Sequence, residues 1–343
     1  MRMRIEKSNG YYFMTAPYDV TAVGHAIVDV LAPADDAFLT AQNLAKGAMT
    51  LIDQDRALSL YGVMAQAELA SGGSAGNTIA GAASLGGKCG YIGKVADDEL
   101  GKVFRHDMKA QGVQFDTSVL TDGSATGRCL INITPDAQRT MATFLGAAAK
   151  VGPADVDAAL IQASNIVYLE GYLFDTPSGR EAFVKASELA RAAGRKTAIT
   201  MSDRFVVDRW RADLLPFIDQ HIDIVFANED ELLAMYETED FFAAQSALRA
   251  KVDLAFVTRS DQGSVILTKD DTVLVPVFDV DTLVDTTGAG DQYAAGAMFG
   301  LSRGLDLYTC GRLGAMAAAE VISHYGPRPL VSLKDMAGKF GLI

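Results

Sequence analysis

Cysteine, histidine and tryptophan are all scarce: the 343 residues hold three, four and one of them. Cys89, Cys129 and Cys310 lie far apart with no paired spacing, so neither a disulfide framework nor a cysteine-ligated metal is indicated. His25, His106, His221 and His324 also show no ligand spacing, which argues against a zinc-type centre. Basic residues are in deficit, 30 against 43 acidic ones, and the net charge is -13. A surface so acidic argues against nucleic acid or an anionic membrane as a partner. A polyanionic ligand would have to be gripped by a local device, such as backbone amides or a bound cation. No apolar run approaches a membrane span. The first fourteen residues lack the apolar centre of a signal peptide. Scattered cysteines and no span fit a cytoplasmic chain. The pattern G-x-x-x-x-G-K-[ST] occurs nowhere, which excludes a P-loop.

What is present is an ordinary globular composition, 49% hydrophobic and 21% charged, long enough for one large domain with an appendage. Residues 1–16 are expected to form a disordered leader, with Met14 a candidate start. Val20–Gly24 reads as a buried first strand, Ala34–Lys46 as a helix, Met49–Asp53 as a short strand, Thr78–Leu85 as a helix and Cys89–Gly93 as a strand. Arg128–Thr134 and Thr140–Leu145 read as a hairpin around Pro135-Asp136. From Ile166 onward, strands and helices alternate. The strands are Ile166–Glu170, Lys196–Thr200, Ile222–Phe226 and Leu254–Thr258, with helices at Ser178–Ala193, Asp208–Phe217 and Glu229–Tyr236. A hairpin at Ser264–Val277 and helices at Ala289–Ser302 and Leu305–Ser323 follow. Such alternation predicts an α/β fold, a doubly wound and mostly parallel sheet. The extra hairpins of the first half predict a small β-strand lid, inserted near 26–54 and 125–146 of a domain over 17–343.

The most informative stretch is Asp285-Thr286-Thr287-Gly288-Ala289-Gly290-Asp291, which leads into an Ala/Gly-rich helix. Gly288 and Gly290 leave the backbone open to close approach. The amides of a helix start, at the positive end of its dipole, make an anion hole there. A carboxylate beside an anion hole repels phosphate, so Asp291 makes sense if it holds a hydroxyl in line with that phosphate and takes its proton. The competing explanation is a plain helix cap. Gly72-Gly73-Ser74-Ala75-Gly76-Asn77 lacks dinucleotide-loop spacing and reads as a turn whose backbone lies near a ligand, with the Asn77 amide as donor and acceptor. A glycine-rich helix entry explains it equally well. Asp29 follows the first strand, at the carboxyl edge where ligands bind parallel sheets, and can accept from vicinal hydroxyls. Asn228-Glu229-Asp230-Glu231 closes a strand. Its acids suit water-mediated Mg²⁺ or simply a helix start. Tyr172 and Phe205 each follow a strand and could flank a ligand or pack in the core.

In this order the motifs resemble the ribokinase-like (PfkB) family of carbohydrate and nucleoside kinases, over about Tyr18 to Pro327. Asp285–Asp291 is similar to the family's second signature, Gly72–Gly93 to its first, and Asn228-x-x-Glu231 to its N-x-x-E motif. The resemblance implies a β lid over a doubly wound domain, with ATP and Mg²⁺. It makes Asp291 the catalytic base, and Gly288, Ala289 and Gly290 the anion hole. Asp29, Gly72, Gly73 and Asn77 would bind ribose-type hydroxyls. Asn228, Thr258, Ser260, Gly263, Gly288 and Gly290 would lie near ATP. Glu231 would meet Mg²⁺ through water, while Asp285 and Thr287 match positions that bind a monovalent cation such as K⁺ in some members. Ser260 departs from the family's T-x-G-x-x-G turn. Val28-Asp29, Gly72-Gly73-Ser74 with Asn77, Tyr168-x-x-Gly171-Tyr172 and Met201–Phe205 are similar to the pattern of adenosine kinases. That implies the 5′-hydroxyl of adenosine as acceptor, with Tyr172, Phe205, Cys129, Ile131 and Leu145 around a base. The alternatives are a free-sugar kinase for ribose, fructose or a keto-sugar acid, and a catalytically silent nucleoside- or nucleotide-binding protein. The expected partners are small molecules, without nucleic acid or membrane, and a second copy of the chain through exposed lid strands.

Overall fold

Every residue of Ser164–Glu170 is buried, the mark of a strand covered on both faces. The computed structural model describes residues 16–136, 138–280 and 282–343. The expected leader lies outside the described residues, Ala16 excepted. The strands are β1 Tyr18–Val23, β2 Ile27–Pro33, β3 Met49–Leu51, β4 Glu68–Gly72, β5 Cys89–Ile92, β6 Gly127–Ile133, β7 Arg139–Phe144, β8 Ser164–Glu170, β9 Lys196–Thr200, β10 Ile224–Asn228, β11 Leu254–Thr258, β12 Ser264–Thr268 and β13 Thr272–Val275. The helices are α1 Asp36–Ala41, α2 Gln54–Tyr61, α3 Ser74–Ser84, α4 Glu99–Ala110, α5 Ala158–Gln162, α6 Pro177–Ala192, α7 Arg204–His221, α8 Glu229–Met235, α9 Phe241–Arg249, α10 Ala289–Ser302, α11 Leu307–Ile322 and α12 Leu333–Lys339.

Eight strands form the main sheet in the order β13-β12-β11-β10-β9-β8-β1-β5. Neighbours from β5 to β11 run parallel, and β12 and β13 turn back antiparallel. Alternate strand residues enter opposite cores, as the period of two requires. Val167, Ile199 and Val225 pack with Phe183 of α6 and Phe217 of α7. Ile166, Ala198 and Ile224 pack with Ile79 of α3 and Met298 of α10. The sheet is thus doubly wound.

The other five strands form the lid, in the order β3-β7-β6-β2-β4. Val30, Leu130 and Ala142 pack one lid face against Leu60 of α2, and Ile27, Cys129 and Ile131 lie on the other. Strand β4 adds a stretch at Glu68–Gly72 that the two expected lid segments lacked. Two element boundaries also differ from expectation. Helix α1 stops at Ala41, close to Asn43 with its φ of 51°, and does not run to Lys46. Helix α7 starts at Arg204 because Asp203 caps it, so Phe205 sits in a helical turn and not in a loop after a strand.

The Gly/Ala-rich character of α10 and α11 has a packing cause. A Cβ on Gly296 would overlap the Leu313 carbonyl, and one on Gly300 would lie 2.8 Å from Cys310 Sγ. The two helices therefore approach nearly backbone to backbone, which fixes where α10 begins. Gly296→Ala should cost about 1–3 kcal/mol through overpacking. Thermal unfolding should show a lowered Tm, whereas an unchanged Tm would mean that the helix pair has slack.

Candidate active site

Helix α10 opens without a side-chain cap, because its N-cap is Gly288 in the left-handed region, at φ 80°. Only glycine fits there, since a Cβ would lie 2.7 Å from Pro327 Cα. Nothing lies within 4 Å of where a Cβ on Gly290 would stand, so this amide edge is open. Gly288, Ala289, Gly290 and Asp291 line a cavity of about 720 Å³ between the main sheet and the lid.

Asp291 is held from α3. Ser74 Oγ donates to its Oδ1 at 2.6 Å and Asn77 Nδ2 to its Oδ2 at 3.1 Å. Burial pushes its carboxyl up to about 7. The two donors oppose that rise, and Glu170 and Asp29 add to it. Such a group is half ionised near neutrality, the state that suits a general base.

Asp29 is not at the end of a main-sheet strand, as expected, but inside lid strand β2. Its carboxylate lies over Gly72, where any Cβ would overlap it. Burial raises its carboxyl to about 6 against the lowering pull of Arg328 and Arg139. Gly73, at φ 82°, has no room for a side chain beside the His25 carbonyl. The Gly72-Gly73 pair is therefore the point where lid strand β4 passes under Asp29 and turns into α3. The strand leading into this turn, β4, has no obvious signature in the sequence. Neither Gly72 nor Gly263 lines the cavity: Gly72 lies against Asp29, and Gly263, at φ 80°, packs against the Val275 carbonyl.

At the other end, Asn228 caps α8, accepting from Glu231 N at 2.8 Å, while its own N and Nδ2 both donate to Glu231 at 2.9 Å. Burial raises the Glu231 carboxyl to about 7, against the Asn228 amide. Among the described residues no cluster of three His, Cys, Asp or Glu could hold a metal. Thr258 ends β11, and both Thr258 and Ser260 line the cavity. Ser260 adopts φ 51°, so the chain keeps a left-handed turn with a serine. Arg259 pairs with Glu229 at 3.0 Å and stacks over Phe241 at 4.0 Å.

Asp285 accepts from Thr287 N at 3.1 Å, Thr287 Oγ1 at 2.8 Å and Gly326 N at 3.3 Å. It also pairs with Arg139 of lid strand β7, both side chains being 6% exposed. The carboxylate matched to a monovalent cation already carries a guanidinium, so Asp285 and Thr287 do not fit a K⁺ ion in this arrangement. Tyr172 and Phe205 both line the cavity, with ring centroids 6.0 Å apart and planes at 36°. That spacing leaves no slot for a flat ring between them. They form a single aromatic wall, facing Ile131, Met141, Leu145 and Leu51 of the lid. Cys129 sits in the lid wall beneath Thr143, whose hydroxyl donates to Sγ at 3.2 Å, and burial pushes the thiol up to about 12.

Sequence reasoning did not single out Glu170, His25, Arg139 or Arg328. Glu170, at the end of β8, takes His25 Nδ1 at 2.7 Å and Ala75 N at 2.9 Å, tying the lid's first hinge to α3. The bracketing Tyr168-x-x-Gly171-Tyr172 could have pointed to it. Nothing local marks the two arginines, whose partners come from distant segments.

An acid that repels phosphate, set against amides that attract it, is the pairing that a phosphotransferase acting on a hydroxyl group needs. The chain belongs to the pfkB family of carbohydrate kinases, whose profile matches residues 48–333. The adenosine kinase of Sinorhizobium meliloti is a solved structure 50% identical, with a TM-score of 0.89, covering 95% of this chain and 100% of that one. A probable sugar kinase from Rhizobium etli is 44% identical, with a TM-score of 0.90, covering 96% of this chain and 100% of that one. The adenosine kinase of Saccharomyces cerevisiae is 28% identical over 336 residues, 92% of this chain and 97% of that protein. The protein is accordingly a sugar or nucleoside kinase, a family that takes ATP as co-substrate, and the silent-binder alternative falls away. Among the described residues no helix is long and apolar enough to cross a membrane.

The Asp29–Gly72 contact yields a test. Gly72→Ala should displace the Asp29 carboxylate, raising KM for the acceptor at least tenfold while leaving KM for ATP within about twofold, since charge-assisted hydrogen bonds are worth about 1.5–3 kcal/mol. Equal changes in both constants, measured by ADP release, would detach Asp29 from the acceptor.

Proposed function

We propose that the protein transfers the terminal phosphate of ATP to the 5′-hydroxyl of adenosine. The observation that carries this reading is the pairing of a polar floor with an apolar slot. Asp291, Asn77 and Asp29 supply carboxylates and an amide for a ribose. The Tyr172–Phe205 wall and the lid's Ile131 and Met141 supply two apolar faces beside them. A free sugar needs polar partners on every side, whereas a purine needs such a slot. The printed names of the Sinorhizobium and Saccharomyces proteins support this reading. The Rhizobium etli neighbour keeps a free-sugar acceptor as the second reading.

In this scheme the acceptor hydroxyl donates to Asp291, which removes its proton as the new oxygen–phosphorus bond forms and the bond from the terminal phosphorus to the bridging oxygen of ATP breaks, with ADP leaving. The amides of Gly288–Gly290 receive the transferred phosphate, with Asn228, Thr258 and Ser260 toward the nucleotide. Mg²⁺, when bound, would supply charge neutralisation at the phosphates, and Glu231 would be the residue to hold it, through water.

Three outcomes follow. Asp291→Asn should cut kcat by roughly 100-fold or more while ATP still binds, because the anion hole is backbone. The wild-type rate should fall as pH drops through about 7, where burial has moved the Asp291 carboxyl. A kcat/KM for the acceptor flat from pH 6 to 8, or near-normal turnover of the Asn variant, would remove Asp291 as the base. Phe205→Ala should weaken adenosine binding by about tenfold, the loss expected when aromatic contact and apolar burial are removed. The same change should leave any ribose phosphorylation nearly untouched. Ribose or fructose turned over as efficiently as adenosine would replace the nucleoside reading with the sugar one.

A further inference from the structure

The short segment Gly326–Arg328, after α11, touches the loop before α10, the start of α10, and both Ser71 of β4 and Asn77 of α3. Gly326 N donates to Asp285 at 3.3 Å, and Pro327 packs on Gly288. The Pro327 carbonyl accepts from Gln292 Nε2 at 2.9 Å, and the same Nε2 donates to the Asn77 carbonyl at 3.0 Å. Arg328 then reaches the Asn77 side chain itself. Its Nε donates to Asn77 Oδ1 at 3.2 Å, and its Nη1 to Ser71 Oγ at 2.8 Å. Ser71 in turn donates to Asp107 Oδ2 at 2.6 Å, on α4.

The direction of each bond in this chain is forced. An arginine can only donate, so the oxygen of the Asn77 amide must face Arg328. The nitrogen must then face Asp291, whose ionised carboxylate can only accept. We propose that Arg328 is a positioning residue for Asp291: it dictates which end of the Asn77 amide faces the base, and so holds the carboxylate ready to accept a proton. The idea rests on the reading of Asp291 as the base. With Arg328 gone, the amide is free to rotate and present its oxygen to Asp291, an arrangement that suits only the protonated acid. The surroundings amplify the effect. Glu170 of β8 and Asp29 of β2 disfavour a negative charge on Asp291, and the Asp291 charge in turn raises the Glu231 carboxyl of α8, while Tyr168 of β8 and Tyr172 are held neutral by burial. Arg328 is the cation among these neighbours, close to both Asp29 and Asp291.

The test compares wild type, Arg328→Met and Arg328→Lys by kcat and both KM values from pH 5.5 to 9, with adenosine, ribose and fructose as acceptors. The Met variant keeps the stem and removes the fork. Its acid limb should move upward by about one pH unit or more, with kcat approaching the wild-type plateau at high pH and KM for ATP within about twofold. The Lys variant, which keeps the charge but not the two-donor geometry, should fall between the two. A kcat lowered by the same factor at every pH, or unchanged at every pH, would make Arg328 a structural residue only and overturn the proposal. Should the Met variant not fold, the Lys variant alone decides, because an unmoved acid limb there counts against the idea. A wild type without an acid limb would instead sink the reading of Asp291, and the two failures are thereby distinguishable.

Discussion

The site depends on one meeting. The starts of α3 and α10, more than two hundred residues apart in sequence, converge so that Ser74 and Asn77 donate to the carboxylate of Asp291. Each helix is admitted by glycine. Gly81 of α3 faces Gln292 and Ala295 of α10, and Gly296 of α10 faces the α11 backbone. Gln292, one residue past Asp291, then ties the Asn77 carbonyl to that of Pro327. If any of these approaches widened, the base, its donors and the amide cradle would drift apart together. Catalytic geometry of this kind tolerates little displacement.

The electrostatics follow from a chain with a net charge of -13 that must handle phosphate. In the proposed scheme backbone amides carry the attraction, and they bring no mobile side chain to be ordered. The cavity's own acids are kept from repelling the donor by burial, which raises Asp29, Glu231 and Asp291 toward neutrality, and by two arginines placed behind the wall. Arg139 comes from the lid and Arg328 from the segment after α11. The lid therefore contributes charge as well as cover.

Legibility in the sequence tracked how local each feature is. The alternating half from Ile166 onward announced the doubly wound sheet, because buried parallel strands and their helices are contiguous runs. Asp285–Asp291 was equally readable, since a glycine-led helix start with an acid in its first turn is a local chemical pattern. The lid was only half visible. Strands β2 and β4 are interrupted by polar residues and find their partners across the chain. Asp29 was assigned to the carboxyl edge of the main sheet for that reason. Tyr172 and Phe205 both line the cavity, but their mutual geometry depends on where α7 begins, and Asp203 sets that start at Arg204. Arg139 and Arg328 carried no signal, because an arginine's meaning lies in partners that the fold supplies.

The Arg139–Asp285 pair joins the far end of the lid to the loop ahead of α10, with both groups almost wholly out of water. Burying two opposite charges together returns little net free energy, because their attraction is spent against lost hydration. Opening the lid separates the charges but restores their water shells, so neither position is strongly preferred on account of this pair. What the pair does enforce is registration. The lid can settle only where the guanidinium finds its carboxylate, and a lid displaced by one residue leaves a bare charge in an apolar wall. The pair thereby fixes where the lid sits over the cavity while adding little to the strength with which it is held.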